Sequence, residues 1–223
     1  LALLKKSHDI RLLVPCAKFA IMSGNIAAFS EAVGAIARLL AEHWDGAHPR
    51  AGDGSYAMRE SHLSRLTETA TIMLPLQDAP FCTLRRLGKI SYRTHLLATK
   101  AVAPREKEAV LEEAALRDGL VKHDDFDDIV NAAGHLNSAA AALTRIRARF
   151  VEKDGAQNAP DFEKLTALLA DYGAFLRSIM HERDPLLAAP TSPEGEAAEA
   201  GPEAEGAAPA AALAQTVEPV RAG

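Results

Sequence analysis

The chain has 223 residues, of which 48% are hydrophobic, 5% aromatic and 25% charged, with a formal net charge of −5, as expected for one folded unit with accessory segments. No run reaches the roughly 20 uncharged apolar residues that cross a bilayer, because Arg11, Lys18 and Arg38 interrupt the most apolar stretches. The charge is graded: +5 over residues 1–104 (13 Lys+Arg against 8 Asp+Glu), −5 over 105–184 (11 against 16) and −5 over 185–223 (1 against 6), which suits protein partners and, without a basic stripe interleaved with aromatics, argues against nucleic acid.

The N-terminus reads "LALLKK", with the charges after the leucines and no small-residue cleavage site, so no signal peptide is expected and a cytoplasmic location is the default. A start at Leu1 rather than Met suggests that sequence lies upstream. Asp9 is placed to cap a helix from Ile10 to about Met22, with Ile10, Leu13, Val14, Ala17 and Ile21 on one face and Gly24 at its stop. Pro15 lies inside that helix, where its ring removes a donor and crowds the carbonyl four residues back. Asn25 caps a second helix whose stripe runs Phe29, Val33, Ile36, Leu40 and Trp44, and the two form a hairpin. "DGAHPRAGDGSY" is a loop by its Pro and Gly content, followed by a helix from about Ala57 to Ala70 that buries Met58, Leu63 and Leu66.

Periodicity weakens over residues 71–103. "APFCTLRRLGKISYRTHL" sets Pro80 and Gly88 beside short β-prone runs, as in a small hairpin or an extended segment. From Pro104 the pattern is helical again: "REKEAVLEEAALRDGL", then a long helix with Phe126, Ile129, Ala133, Leu136, Ala140, Leu143, Ile146 and Phe150 as its stripe, ending at Gly155. A third helix opens at Pro160 or Asp161, with Phe162, Leu165, Leu168, Leu169, Tyr172, Leu176 and Ile179 inward, and packs antiparallel to the second. Residues 185–223 are Ala, Pro, Glu and Gly with little to bury, and read as a disordered linker. The expected organisation is therefore all-α, a bundle of helical hairpins with one short β-like segment near 80–95. A first helical domain spans 1–103, a helical extension 104–184 and a linker 185–223.

The stretch "LLAEHWDGAHPRAGDGSYAMR" poses the chemical question, because the chain's single tryptophan lies between His43 and His48 and near Asp45 and Asp53. Imidazole and carboxylate are metal ligands. However, the histidines are five apart across a helix end, without the i, i+4 spacing or an HExxH signature, so a structural corner is the preferred reading and a metal enzyme the last. His62 and His95 are isolated. Cys16 and Cys82 have no CxxC spacing, so they read as small reduced hydrophobes. No G-x-S-x-G elbow occurs, "GDG" at 52–54 is turn chemistry, and "DDFDD" at 124–128 suits a helix N-terminus. Neither catalytic, cofactor nor metal residues are expected. Arg85, Arg86, Lys89 and Arg93 form the densest basic patch, a candidate docking surface for an acidic partner.

The run from Ser7 to Leu66 resembles the ImpA-type N-terminal domain of the TssA proteins of type VI secretion. The residues that carry the resemblance are Ser7, Asp9 and Arg11 as Ser-x-Asp-x-Arg, then Gly24, then "LLAEHWDGAHP" with His43, Trp44, His48 and Pro49. Met58 and Arg59 follow, leading to Leu63 and Leu66, and Gly88 lies in a Leu-Gly-x-x-Ser-x-Arg-like stretch. The specific resemblance extends over about residues 1–97. It implies a cytosolic, non-enzymatic assembly component that docks on the baseplate, inner tube or sheath, with self-association as a further interaction, and it implies that the His-Trp-Asp…His-Pro corner is a packing feature. Trp44 would then anchor the turn, its indole N–H meeting a loop carbonyl. The alternative is a generic helical adaptor tethering an unrelated C-terminal domain.

Overall fold

Asp9 begins the first helix as its sequence requires. Its carboxylate accepts from the backbone N–H of Arg11 at 2.9 Å and caps α1, Ile10–Met22. The computed structural model describes residues 8–52 and 54–188; Ser7, Asp53 and residues 189–223 of the expected linker 185–223 lie outside them, while its first residues, Pro185–Ala188, form a 3-10 turn. The expected face of α1 (Ile10, Leu13, Val14, Ala17 and Ile21) is the buried one, and the helix runs on through Pro15 to Met22. Gly24 then takes φ +78°, a left-handed conformation that costs an L side chain about 1–2 kcal/mol. Asn25 accepts from Ala28 N at 2.9 Å and starts α2, Ile26–Glu42.

The third helix is shorter than expected. α3 spans Ala57–Ser64, tightens into a 3-10 turn at Arg65–Thr67, and the chain becomes extended at Glu68. One wide turn at Thr69–Met73 leads into α4, Leu74–Asp78. The ambiguous segment is a hairpin: β1, Pro80–Leu84, pairs antiparallel with β2, Gly88–Ser91. Its three-residue turn closes on Gly88 at φ +78°, the left-handed position such a turn uses. Ser91 and Thr94 then form a reciprocal cap on α5, Tyr92–Ala98, a helix the weak periodicity did not announce.

Residues 104–112 are not helical, contrary to expectation. Glu108 is held by Arg93, and its carboxylate also accepts from Arg105 N at 2.7 Å, so the segment folds around an ion pair with Lys107 at φ +63°. α6 therefore covers only Glu113–Val121. Two long helices follow, α7, Asp127–Asp154, and α8, Glu163–Arg183, separated by Gly155 and a 3-10 turn. On α7 the inward alanines are Ala132, Ala139 and Ala142, while Ala133 and Ala140 are half-buried beside them.

α7 packs between α2 and α8. The hydrophobic core is continuous from Ile10 on α1 to Met180 on α8, and so runs across the boundary expected at 103–104. The described residues fall in one compact unit, mainly helical with one two-stranded antiparallel sheet. Among them, no helix is long and apolar enough to cross a membrane.

A Cβ added at Gly24 meets Pro80 Cδ at 3.3 Å as well as adopting the left-handed backbone. Gly24→Ala is therefore expected to lower stability by about 1–2 kcal/mol, read as a lower urea midpoint with an unchanged slope.

Candidate functional site

The residues singled out in the first 66 positions converge on the loop after α2. α2 ends at Glu42, so Trp44 sits in the turn beyond the helix whose stripe it continues, and only 3% of it is exposed. Its indole ring meets Phe150 of α7 edge-on at 4.9 Å and Tyr56 at 4.9 Å. Loop residues 47–49 are pinned to the start of α1, where Ile10 N donates to His48 O at 3.0 Å and His48 N donates to His8 O at 2.6 Å. The His8 and His43 rings stack at 4.0 Å, and the His48–Pro49 bond is cis.

Arg59 organises this corner. It is fully buried, although Met58 was the expected inward residue; Met58 is 63% exposed. The helical geometry explains the exchange, because Arg59, Leu63 and Leu66 lie at i, i+4 and i+7 on one face, and Met58 points about 100° away. The guanidinium donates to Ala47 O at 2.7 Å and to Pro49 O at 2.9 and 3.2 Å. It also stacks at 4.6 Å on both the Trp44 and Tyr56 rings. Burial pulls its pKa below the usual arginine value, and the Asp45 and Asp154 carboxylates counter that shift. The Trp44 indole N–H, expected to meet a loop carbonyl, has no hydrogen-bond partner among the described residues; the carbonyls of Ala47 and Pro49 accept from Arg59.

Asp9 and Arg11 complete the arrangement at the helix start. Arg11 donates from Nη2 to Asp9 at 2.7 Å and from Nε at 3.0 Å, and its guanidinium holds the Asp9 carboxyl below the ordinary carboxylate range. Among the described residues, no three His, Cys, Asp or Glu side chains gather as a metal set. Cys16 is exposed, whereas burial pushes the Cys82 thiol up to about 12, which keeps it protonated and unreactive at neutral pH. His95 is stacked on Phe175 at 3.8 Å, and burial lowers its pKa. The corner joins α1, α2, α3 and α7 at one point.

The basic patch does not survive as four residues. Arg85, Arg86 and Lys89 are exposed on the hairpin. Arg93 is turned inward with its side chain 9% exposed, because Glu108 receives it at 2.6 and 2.7 Å and Asp78 lies 3.8 Å away. Its role is to hold residues 103–108, where it also donates to Ala103 O at 3.3 Å.

Residues 1–68 match the family described as ImpA, N-terminal, type VI secretion system. That segment contains the corner from Asp9 to Leu66, all but Phe150 of α7, and the family is the one those residues resemble. The Leu-Gly-x-x-Ser-x-Arg-like stretch around Gly88 lies outside the matched residues. No curated protein matches the chain. Among solved structures, the chain is similar to the N-terminal domain, including the conserved ImpA_N region, of the TssA component of the type VI secretion system from Burkholderia cenocepacia. The TM-score is 0.60 at 16% identity, over 79% of this chain and 72% of that one. At that identity the likeness is one of fold, and it extends the comparison beyond the ImpA match into the later helices.

Arg93 pulls the Glu108 pKa down from its ordinary 4.5 to about 2. A depressed folded-state value stabilises the fold above about pH 4.5, and that contribution is lost as pH falls toward 2. Glu108→Gln is expected to lower the urea midpoint at neutral pH and to flatten its decline across this acid window, followed by circular dichroism at each pH.

Proposed function

We propose that the chain is a non-enzymatic assembly component of a bacterial type VI secretion system, acting in the cytoplasm by docking on baseplate, inner tube or sheath subunits. The observation that carries this reading is the family match over residues 1–68. The chemistry of that segment is consistent with it, since His43, Trp44 and His48 are engaged in stacking, ring packing and main-chain contacts. Surface features also suit a protein that works by contact. Leu12, Phe19 and Met22 on α1 are 37%, 70% and 56% exposed, and Arg85, Arg86 and Lys89 extend from the hairpin.

The test is native affinity purification of the full-length protein from its own cells while the secretion apparatus is expressed, with mass spectrometry of the bound fraction. Recovery of baseplate, tube or sheath subunits is the expected outcome. Their absence from the bound fraction under those conditions would overturn the proposal.

A further inference from the structure

The hairpin and α6 enclose a cleft that the corner does not use. The turn 85–87 faces the second half of α6 and the residues that follow it, leaving a cavity of about 450 Å³, within the range of small-ligand and peptide side-chain pockets. Leu84 and Leu87 make its floor, and Gly119 lets them approach α6: a Cβ there would meet Leu84 Cδ1 at 3.0 Å and Leu87 Cδ1 at 3.4 Å. Its polar lining carries three cations, Arg85, Arg86 and Lys122, against two acids, Asp118 and Asp124.

One feature indicates that the cleft can receive an anionic group. The ion pairs at its opening are exposed: Arg85 to Asp124 at 3.5 Å, with side chains 92% and 72% exposed, and Lys122 to Asp118 at 2.5 Å, with 73% and 61% exposed. Such pairs contribute little, so a ligand carboxylate can exchange into them at small cost. His123, 9% exposed, also lines the cleft.

The geometry points to a docking pocket for an acidic peptide segment of a protein partner, one that presents a leucine-sized apolar side chain flanked by carboxylates. The apolar side chain enters between Leu84 and Leu87, and the carboxylates meet Arg85, Arg86 and Lys122. A phosphodiester backbone fits less well, because the lining offers leucines but no Phe, Tyr or Trp for bases to stack on. The inference rests on the docking reading for its biological partner, but the pocket can be tested without the secretion apparatus.

The test is a two-dimensional amide NMR titration of the full 223-residue chain with the peptide acetyl-Glu-Glu-Leu-Leu-Glu-Glu-amide. The expected result is saturable shifts at Leu87, Gly119, Lys122 and His123, weakened about tenfold when salt is raised from about 50 mM to about 500 mM. The shifts should be lost in the Arg85→Glu, Arg86→Glu double variant, whose unchanged melting temperature verifies that it is folded. The absence of saturable shifts, shifts centred elsewhere, or equal binding by the peptide with Lys in place of Glu or by an oligothymidine would overturn the inference. Peptide binding at the pocket, together with failure to recover apparatus subunits from cells, would remove the docking reading and leave the pocket standing.

Discussion

The buried guanidinium of Arg59 is the constraint on which the first half of the fold depends. It reaches from α3 to the carbonyls of Ala47 and Pro49, the loop between them is held to α1 through His48, and the ring that lies against the guanidinium, Trp44, is packed on Phe150 of α7. Burying a cation costs several kcal/mol unless it is compensated. Here three hydrogen bonds from Nε and Nη2, each contributing about 1.5–3 kcal/mol, and two aromatic faces, each adding about 0.5–2 kcal/mol, counter that cost, while Nη1 is left without a hydrogen-bond partner among the described residues. One side chain thereby ties the consecutive helices α1, α2 and α3 together and, through Trp44, to the distant α7.

The buried contacts of the corner and the exposed apolar and basic side chains lie in different parts of the chain. His43, Trp44 and His48 look reactive as a string of letters, but each has a structural contact that accounts for it. The exposed apolar and basic side chains lie elsewhere, on the outer face of α1 and on the hairpin, where Arg85 and Arg86 sit in the turn and Lys89 on β2. The ImpA match covers the corner, whereas the hairpin lies beyond it.

Much of the fold was legible because it follows one periodicity. The stripe of α1, both N-caps and the inward residues of α8 could be read from spacing alone, since each long helix buries one face against the same core. What could not be read depends on tertiary contacts. Residues 104–112 have helix-forming composition, yet the ion pair from Arg93 to Glu108 outweighs local propensity there. α5 is only seven residues long and is set by its capping pair rather than by a pattern. Arg59 was present in the spacing, on the face of Leu63 and Leu66, but an arginine at an inward position is read as polar until its acceptors are seen. The patch at 85–93 was correctly read as basic, but charge counting along the sequence cannot separate Arg93, which faces Glu108, from the three neighbours that face water.

The measurement that tests the corner most directly is the urea-unfolding free energy of Arg59→Met, which keeps the bulk of the side chain and removes its donors. With the carbonyls of Ala47 and Pro49 left without Arg59, the account predicts a loss of about 2–5 kcal/mol, accompanied by a change in Trp44 fluorescence in the folded state. A variant within about 0.5 kcal/mol of the parent chain, with Trp44 fluorescence unchanged, would contradict it.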